Sequence, residues 1–260
     1  RRRVYPNPMQ YREYGSTGVE LSVVGFGGIC VMDETPEDAK RIVDTARARG
    51  INYFDVAPQY GNAEERLGPA IEPHRQELFL ACKTLEREGQ EALRDFERSL
   101  LRLRTDRIDL YQLHGIETEE QVERLLAPGG SAELLTELKG TGKIRFAGFS
   151  AHNEEAALRL LDAYPFDSIL FPINRYTWYQ GNIGPRVLQK AAEKDAAVLA
   201  LKALARRRRR EGETKNWSKT WYKPVEGPED AALGLRFTLS RPVTAAVSPG
   251  HEELLWWACD

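Results

Sequence analysis

The stretch INYFDVAPQYG, Ile51 to Gly61, is a short apolar run that delivers an aspartate, Asp55, and then a tyrosine, Tyr60, into a loop punctuated by Pro58 and Gly61. Ile51, Tyr53, Phe54 and Val56 are strand-forming residues in a run too short for a helix, so the segment reads as a buried strand that opens into a functional loop. The next two apolar runs also end in ionisable residues, Lys83 in LFLACK and His114 in IDLYQLH. Taken singly, each residue has a plainer explanation. A lone Asp after a strand usually caps a helix, and a lone Tyr usually packs. Capping and packing do not readily place four such residues at successive strand ends.

Working outward, strands are expected near Ser22–Gly28, Ile51–Ala57, Leu78–Cys82, Ile108–Leu113, Arg145–Phe149, Ser168–Ile173, Ala197–Leu201 and Thr244–Val247. Helical patterns lie between them, the first opened by a cap at Thr35 with Pro36 at the first helical position. The others are expected at Glu64–Ile71, Glu91–Leu103, Ala132–Lys139, Glu154–Tyr164, Pro185–Asp195 and Glu229–Leu239. Near-continuous apolar strands alternating with helices imply a parallel sheet, and eight such units predict a closed (β/α)₈ barrel. No G-x-G-x-x-G follows the first strand, so Gly25, Gly27 and Gly28 read as tight packing at a barrel mouth rather than a dinucleotide fingerprint. Ahead of the barrel, two β-like runs flank Gly15-Ser16-Thr17-Gly18 and predict a hairpin. The whole chain, residues 1–260, is expected to form a single barrel domain.

Composition narrows the function. A net charge of −2 with 29% charged residues points to neither nucleic acid nor a membrane surface as partner. Three scattered cysteines, Cys30, Cys82 and Cys259, show no metal-ligand or redox spacing, so reduced thiols and no metal are expected. No apolar run is long enough to span a bilayer, and a cytoplasmic protein is expected; Arg1 to Arg3 read as a basic fringe, with export before residue 1 left open.

In a barrel, residues at the C-terminal strand ends converge. Asp55 would hold Lys83 protonated, Lys83 would lower the pKa of the Tyr60 phenol, and His114 would donate a hydrogen bond to a carbonyl oxygen. That set suits hydride addition to an aldehyde or ketone with Tyr60 as general acid.

These residues resemble the aldo-keto reductases. GSTGVELSVVGFGG, INYFDVAPQYGNAEERLGPAIE, LFLACK, RIDLYQLH, LKGTGKIRFAGFS and the late VSPG stand where that family has its landmarks. The resemblance implies Tyr60 as proton donor, Asp55 and Lys83 as its tuning pair, His114 as the substrate-orienting residue and a nicotinamide nucleotide across the barrel mouth. It implies NADP, with NAD possible, and a small carbonyl or alcohol substrate. Ser150 matches a residue that holds the nicotinamide carboxamide. The family's following Asn is Ala151 here, its Gln on the sixth strand is Leu170 with Asn174 further on, and its stacking Tyr is Leu201 followed by Lys202. Ser248 and Gly250, in VSPG at the start of the last helix, are expected at the cofactor phosphates.

The connection from Ala203 to Pro228 carries Arg206 to Arg210 with Trp217, Trp221 and Tyr222, and is expected to be a mobile loop. A solvated fringe and a lid over the dinucleotide phosphates are both open, with Arg206 onward as the phosphate ligands. Glu252 and Glu253 stand where the family often has a cation for the 2′-phosphate, which weakens the NADP expectation. The end at Asp260, just after Trp256 and Trp257, suggests a missing tail. Two other readings stay open: a nucleotide-sensing binding module on the same scaffold, and a Schiff-base lyase with Lys83 as nucleophile, which a paired Lys83 argues against. Substrate identity and oligomeric state are not legible.

Overall fold

A computed structural model describes residues 7–260; the basic run at Arg1 to Arg3 lies outside the described residues. A hairpin of β1 (Tyr11–Glu13) and β2 (Glu20–Ser22) pairs Tyr11 with Ser22 and Glu13 with Glu20. Then come β3 (Val24–Gly27), α1 (Pro36–Ala48), β4 (Tyr53–Asp55), α2 (Ala63–Ile71), β5 (Phe79–Thr84), α3 (Gly89–Leu103) and β6 (Ile108–Ile116). The second half runs α4 (Glu119–Leu126), α5 (Ser131–Gly140), β7 (Ile144–Ala151), α6 (Glu154–Ala163), β8 (Ser168–Pro172), α7 (Arg175–Gly181), α8 (Pro185–Glu193) and β9 (Ala197–Leu201). It ends with β10 (Ala205–Arg207), β11 (Lys223–Pro224), α9 (Pro228–Leu239), β12 (Ala245–Val247) and α10 (Glu252–Cys259).

Strands β3 to β9 and β12 close into a parallel barrel in which β12 bonds to both β3 and β9. The expected (β/α)₈ barrel with an N-terminal hairpin is therefore the observed fold. Helix α1 begins as its sequence predicts: the Thr35 side chain accepts from Asp38 N, Pro36 occupies the first turn, and Ala39, Ile42, Val43 and Ala46 form the buried face. Apolar side chains pack in two layers. The larger lies between strands and helices, and the smaller fills the barrel interior with Tyr14, Leu21, Tyr53, Phe79, Leu110 and Leu199. Tyr14 and Leu21 come from the hairpin, which plugs that interior, and Tyr14 donates to Ser168 Oγ at 2.6 Å.

The glycines of the first strand pack closely. A Cβ on Gly25 would come within 2.6 Å of the Tyr53 ring, and one on Gly27 within 2.3 Å of the Ser248 carbonyl oxygen. Both distances are far below van der Waals contact, so packing at the barrel mouth accounts for these positions.

Two helices, α4 and α7, were not anticipated. Each is eight residues or fewer, too short for a clear period, and α4 is recognisable mainly by its capping box from Thr118 and Gln121. The expected structureless connection contains a pair of short strands, β10 and β11, with Ala205 opposite Pro224. Its charges cross-link it: Arg207 forks onto Glu213 at 2.7 and 2.8 Å, and Lys223 reaches Glu226 at 2.7 Å. The Arg207–Glu213 pair joins residues six apart that meet only because the connection folds back, which no local pattern announces. Among the described residues no helix is long and apolar enough to cross a membrane.

Candidate active site

Parallel strands point all their C-terminal ends to one mouth, and the pleat decides which side chains enter it. Asp55 ends β4, Lys83 lies near the end of β5 and His114 near the end of β6, with Lys83 opposite Gln112 in register. Tyr60 arrives on the loop after β4. These four residues, with Gln59, Leu85, Ser150, Trp221 and others, line a cavity of about 690 Å³, within the usual range for small-molecule sites.

The centre is a buried ion pair. Lys83 Nζ donates to Asp55 Oδ1 and, at 3.2 Å, to the Val56 carbonyl; the two side chains are 1% and 2% exposed. Asp55 Oδ2 accepts from Tyr53 OH at 3.2 Å and from Gln112 Nε2 at 3.3 Å. Three donors on one carboxylate fix its orientation. Burial works to lower the Lys83 pKa, but Asp55 and the neighbouring phenol outweigh it and the net direction is up. Lys83 is thus an ammonium at neutral pH.

Lys83 Nζ stands 5.8 Å from the centroid of the Tyr60 ring. It pulls the phenol pKa down as the sequence suggests, but burial and Asp55 push it up, and the net direction is up. The expectation of a lowered pKa is therefore corrected for the protein without ligand: the desolvation cost of a phenolate exceeds the help from one cation already shared with Asp55.

The His114 ring meets the Tyr60 ring edge-on, with centroids 6.2 Å apart. Burial first, then Lys83, His152 and Arg87, push its pKa down to about 3. His114 is a neutral imidazole at physiological pH, able to hydrogen-bond but carrying no charge. Its Nδ1 lies 3.1 Å from Gln59 Oε1. The backbone beneath it is clamped: Arg87 Nη2 donates to the His114 carbonyl at 2.8 Å, Gly115 takes φ +65°, and Gly115 N donates to Ser150 Oγ at 2.8 Å. Ser150 accepts in that bond, and its hydroxyl proton has no acceptor among the described residues.

The residues expected at the cofactor divide into two groups. Ser150, Leu170, Leu201, Lys202, Ser248 and Gly250 all line the cavity. Lys202 adopts the left-handed region at φ +59°, and burial and Arg208 lower its pKa. Ser248 Oγ accepts from Gly27 N at 2.9 Å, and a Cβ on Gly250 would meet the Lys219 carbonyl oxygen at 2.4 Å, so the loop crosses where only glycine fits. Asn174 and Arg206 are not part of the cavity lining. The Asn174 side chain caps α7 by accepting from Thr177 N at 3.0 Å, and Arg206 pairs with Glu226.

Within the arginine run, Arg208 and Arg209 are the ones that line the cavity. Arg209 braces its own loop, donating to the carbonyls of Thr214 and Tyr222. The Arg208 side chain makes no hydrogen bond or ion pair among the described residues, and it stands close enough to Lys202 for the two charges to repel. Lys219 ties the strap across the mouth, reaching Glu34 at 2.7 Å and the Cys30 carbonyl at 3.1 Å. Glu252 is neutralised by a fork from Arg41 at 2.7 and 2.9 Å. Sequence reasoning missed Gln59 and Gln112. Gln112 is two residues before His114 on the same strand, hence on the same face, and that spacing was the available signal.

A parallel barrel with a Tyr–Lys–Asp–His mouth defines a class, and comparison with known proteins gives the same one. Residues 24–228 match the profile of the Aldo/keto reductase family, and the chain belongs to that family. It is 31% identical over 217 residues to aldo-keto reductase YhdN of Bacillus subtilis strain 168, covering 76% of this chain and 63% of that protein. It is 36% identical over 157 residues to the uncharacterized oxidoreductase YqkF of the same strain, covering 55% of this chain and 49% of that protein. The chain thus aligns with about half to under two thirds of the length of these relatives. Among solved structures, PA4992 from Pseudomonas aeruginosa superposes with a TM-score of 0.76 at 26% identity, covering 95% of this chain and 91% of that one.

Proposed function

We propose that this chain catalyses nicotinamide-dependent reduction of an aldehyde or ketone, or the reverse oxidation of an alcohol, with Tyr60 as general acid. The observation that carries this reading is the convergence of Tyr60, the Asp55–Lys83 pair and neutral His114 on one cavity.

The lining fits the cofactor's chemistry. Ser150 has a free hydroxyl proton for a carboxamide, Leu170 and Leu201 offer an apolar bed for a ring, and Lys202 with Arg208 forms a pair of cations whose repulsion an anion would relieve. When bound, the nicotinamide supplies a hydride to the carbonyl carbon. The protein does the rest. Tyr60 and His114 face the carbonyl oxygen from two sides, and Tyr60 gives its phenolic proton to that oxygen as negative charge develops there. Lys83 stabilises the phenolate left behind, and Asp55 holds the ammonium in place. Solvent then returns a proton to Tyr60, and in alcohol oxidation the proton transfers run backwards.

Lys202 and Arg208, in place of Arg206, are the phosphate ligands in this reading. NADP remains the expected nucleotide, with NAD possible, because Arg41 offsets the Glu252 charge. A weaker second reading, a nucleotide-binding sensor, draws on Ala151 and Leu201, which cannot hydrogen-bond or stack as the family's residues do. The test is to mix the protein with NADPH and with NADH across aldehydes, ketones and sugars, following nicotinamide absorbance and alcohol formed. Matched loss and formation support the reductase. Tight binding with no turnover on any carbonyl supports the sensor.

A further inference from the structure

A neutral imidazole has one N–H, so what His114 offers a substrate depends on which nitrogen carries it. The ring lines the cavity and its pKa is pushed down to about 3, so at neutral pH the imidazolium, with both nitrogens protonated, is absent. Nδ1 faces Gln59 Oε1 at 3.1 Å, and Gln59 also lines the cavity, one residue before Tyr60. Nε2 makes no hydrogen bond among the described residues. Only Nε2 is left for a ligand.

The Gln59 amide has two faces. With its oxygen toward Nδ1 it accepts from Nδ1–H, and Nε2 then carries a lone pair that repels a carbonyl oxygen. Turned by half a rotation, its NH₂ donates to Nδ1, and Nε2 keeps the hydrogen that a carbonyl oxygen needs. We propose that Gln59 is a positioning residue that selects the tautomer of His114, with its NH₂ facing Nδ1 in the reductive state. The loop after β4 thereby carries both the acid, Tyr60, and the group that makes His114 a donor. Arg87 cannot serve this purpose, because its guanidinium bonds to the backbone carbonyls of His114 and Gly115 and not to the ring.

This inference rests on reading His114 as the group that binds the carbonyl oxygen, and the two can fail separately. The test is nitrogen NMR on the ¹⁵N-histidine-labelled chain, which has only four histidines to assign. The wild type is expected to show His114 as a single neutral tautomer with hydrogen on Nε2. Gln59→Glu, which can only accept, is expected to move that hydrogen to Nδ1 at high pH and to raise the His114 pKa from its low value. Lys83, Arg87 and His152 oppose that rise, so the transition is expected to stay acidic. Reduction by Gln59→Glu should then fall as pH rises through that transition, since only the imidazolium still presents an Nε2 hydrogen.

Gln59→Met, similar in shape and unable to bond, should shift the His114 nitrogen resonances and lower kcat by about tenfold, the scale of one hydrogen bond, with cofactor affinity unchanged. A wild-type His114 protonated on Nδ1, or identical His114 resonances in all three proteins, would overturn the proposal. Full activity in His114→Ala alongside the expected resonances would instead leave Gln59 as tautomer selector and remove His114 from the reaction.

Discussion

Lys83 Nζ lies 5.8 Å from the centre of the Tyr60 ring while donating a hydrogen bond to Asp55 Oδ1. In the proposed reaction one cation would serve both groups, a carboxylate that holds it permanently and a phenol that needs it only while losing a proton. The raised phenol pKa keeps Tyr60 protonated at neutral pH. In the proposed reaction the ammonium would lower the cost of the phenolate at the moment it forms.

Lys83→Met removes that cation and leaves Asp55 charged in a site where it is 2% exposed. Breaking a buried pair on one side typically costs about 3–5 kcal/mol. Urea denaturation should show a loss of this order, and reduction should vanish. Adding Asp55→Leu to Lys83→Met should recover part of the stability but none of the activity. An unchanged denaturation midpoint in Lys83→Met would show that the pair carries no net weight.

The basic connection should act through one position. Arg208→Ala is expected to weaken dinucleotide binding by about 1–3 kcal/mol, the scale of charge-assisted hydrogen bonds. Arg206→Ala, which loses only an exposed pair with Glu226, should change it by under about 0.5 kcal/mol. Titration at low and high salt checks this, since screening should narrow the gap between wild type and Arg208→Ala. Equal effects of the two substitutions would return the arginine run to a solvated fringe.

Acid should weaken the fold through the two histidines that line the cavity. His114 and His152 have folded-state pKa values pushed down to about 3 and about 4, below the ordinary 6.5. Between those values and 6.5 the unfolded chain binds protons that the folded chain refuses, so stability falls as pH drops through that window and is fullest above it. Comparing urea midpoints at about pH 7 and pH 5 in wild type and in a His114→Asn, His152→Asn protein tests this linkage. The double variant should lose less on acidification. An equal loss would place the acid sensitivity in the carboxylates.

The strand ends were legible because the barrel's periodicity is local. Apolar runs ending at Asp55, Lys83 and His114 declare both the strands and the mouth they share. What a side chain does at the mouth depends on distant partners. Asn174 follows β8 as a cavity residue would, yet α7 takes its side chain as a cap. Arg206 to Arg210 are alike in sequence, and the placement of Glu213 and Glu226 decides which of them face the cavity. The phenol's net pKa direction was hidden for a similar reason: the sequence names the cation, and only the packed structure shows the desolvation that opposes it.

Single-turnover hydride transfer in wild type and Tyr60→Phe, with reduced nicotinamide nucleotide bound and an aldehyde in excess, tests the role of Tyr60 most directly. The substitution removes only the phenolic oxygen and its proton. Cofactor affinity should stay unchanged while the transfer rate falls by about two to four powers of ten, the usual reach of a general acid. A variant that transfers hydride at more than about half the wild-type rate, far inside that range, would show that the proton comes from elsewhere.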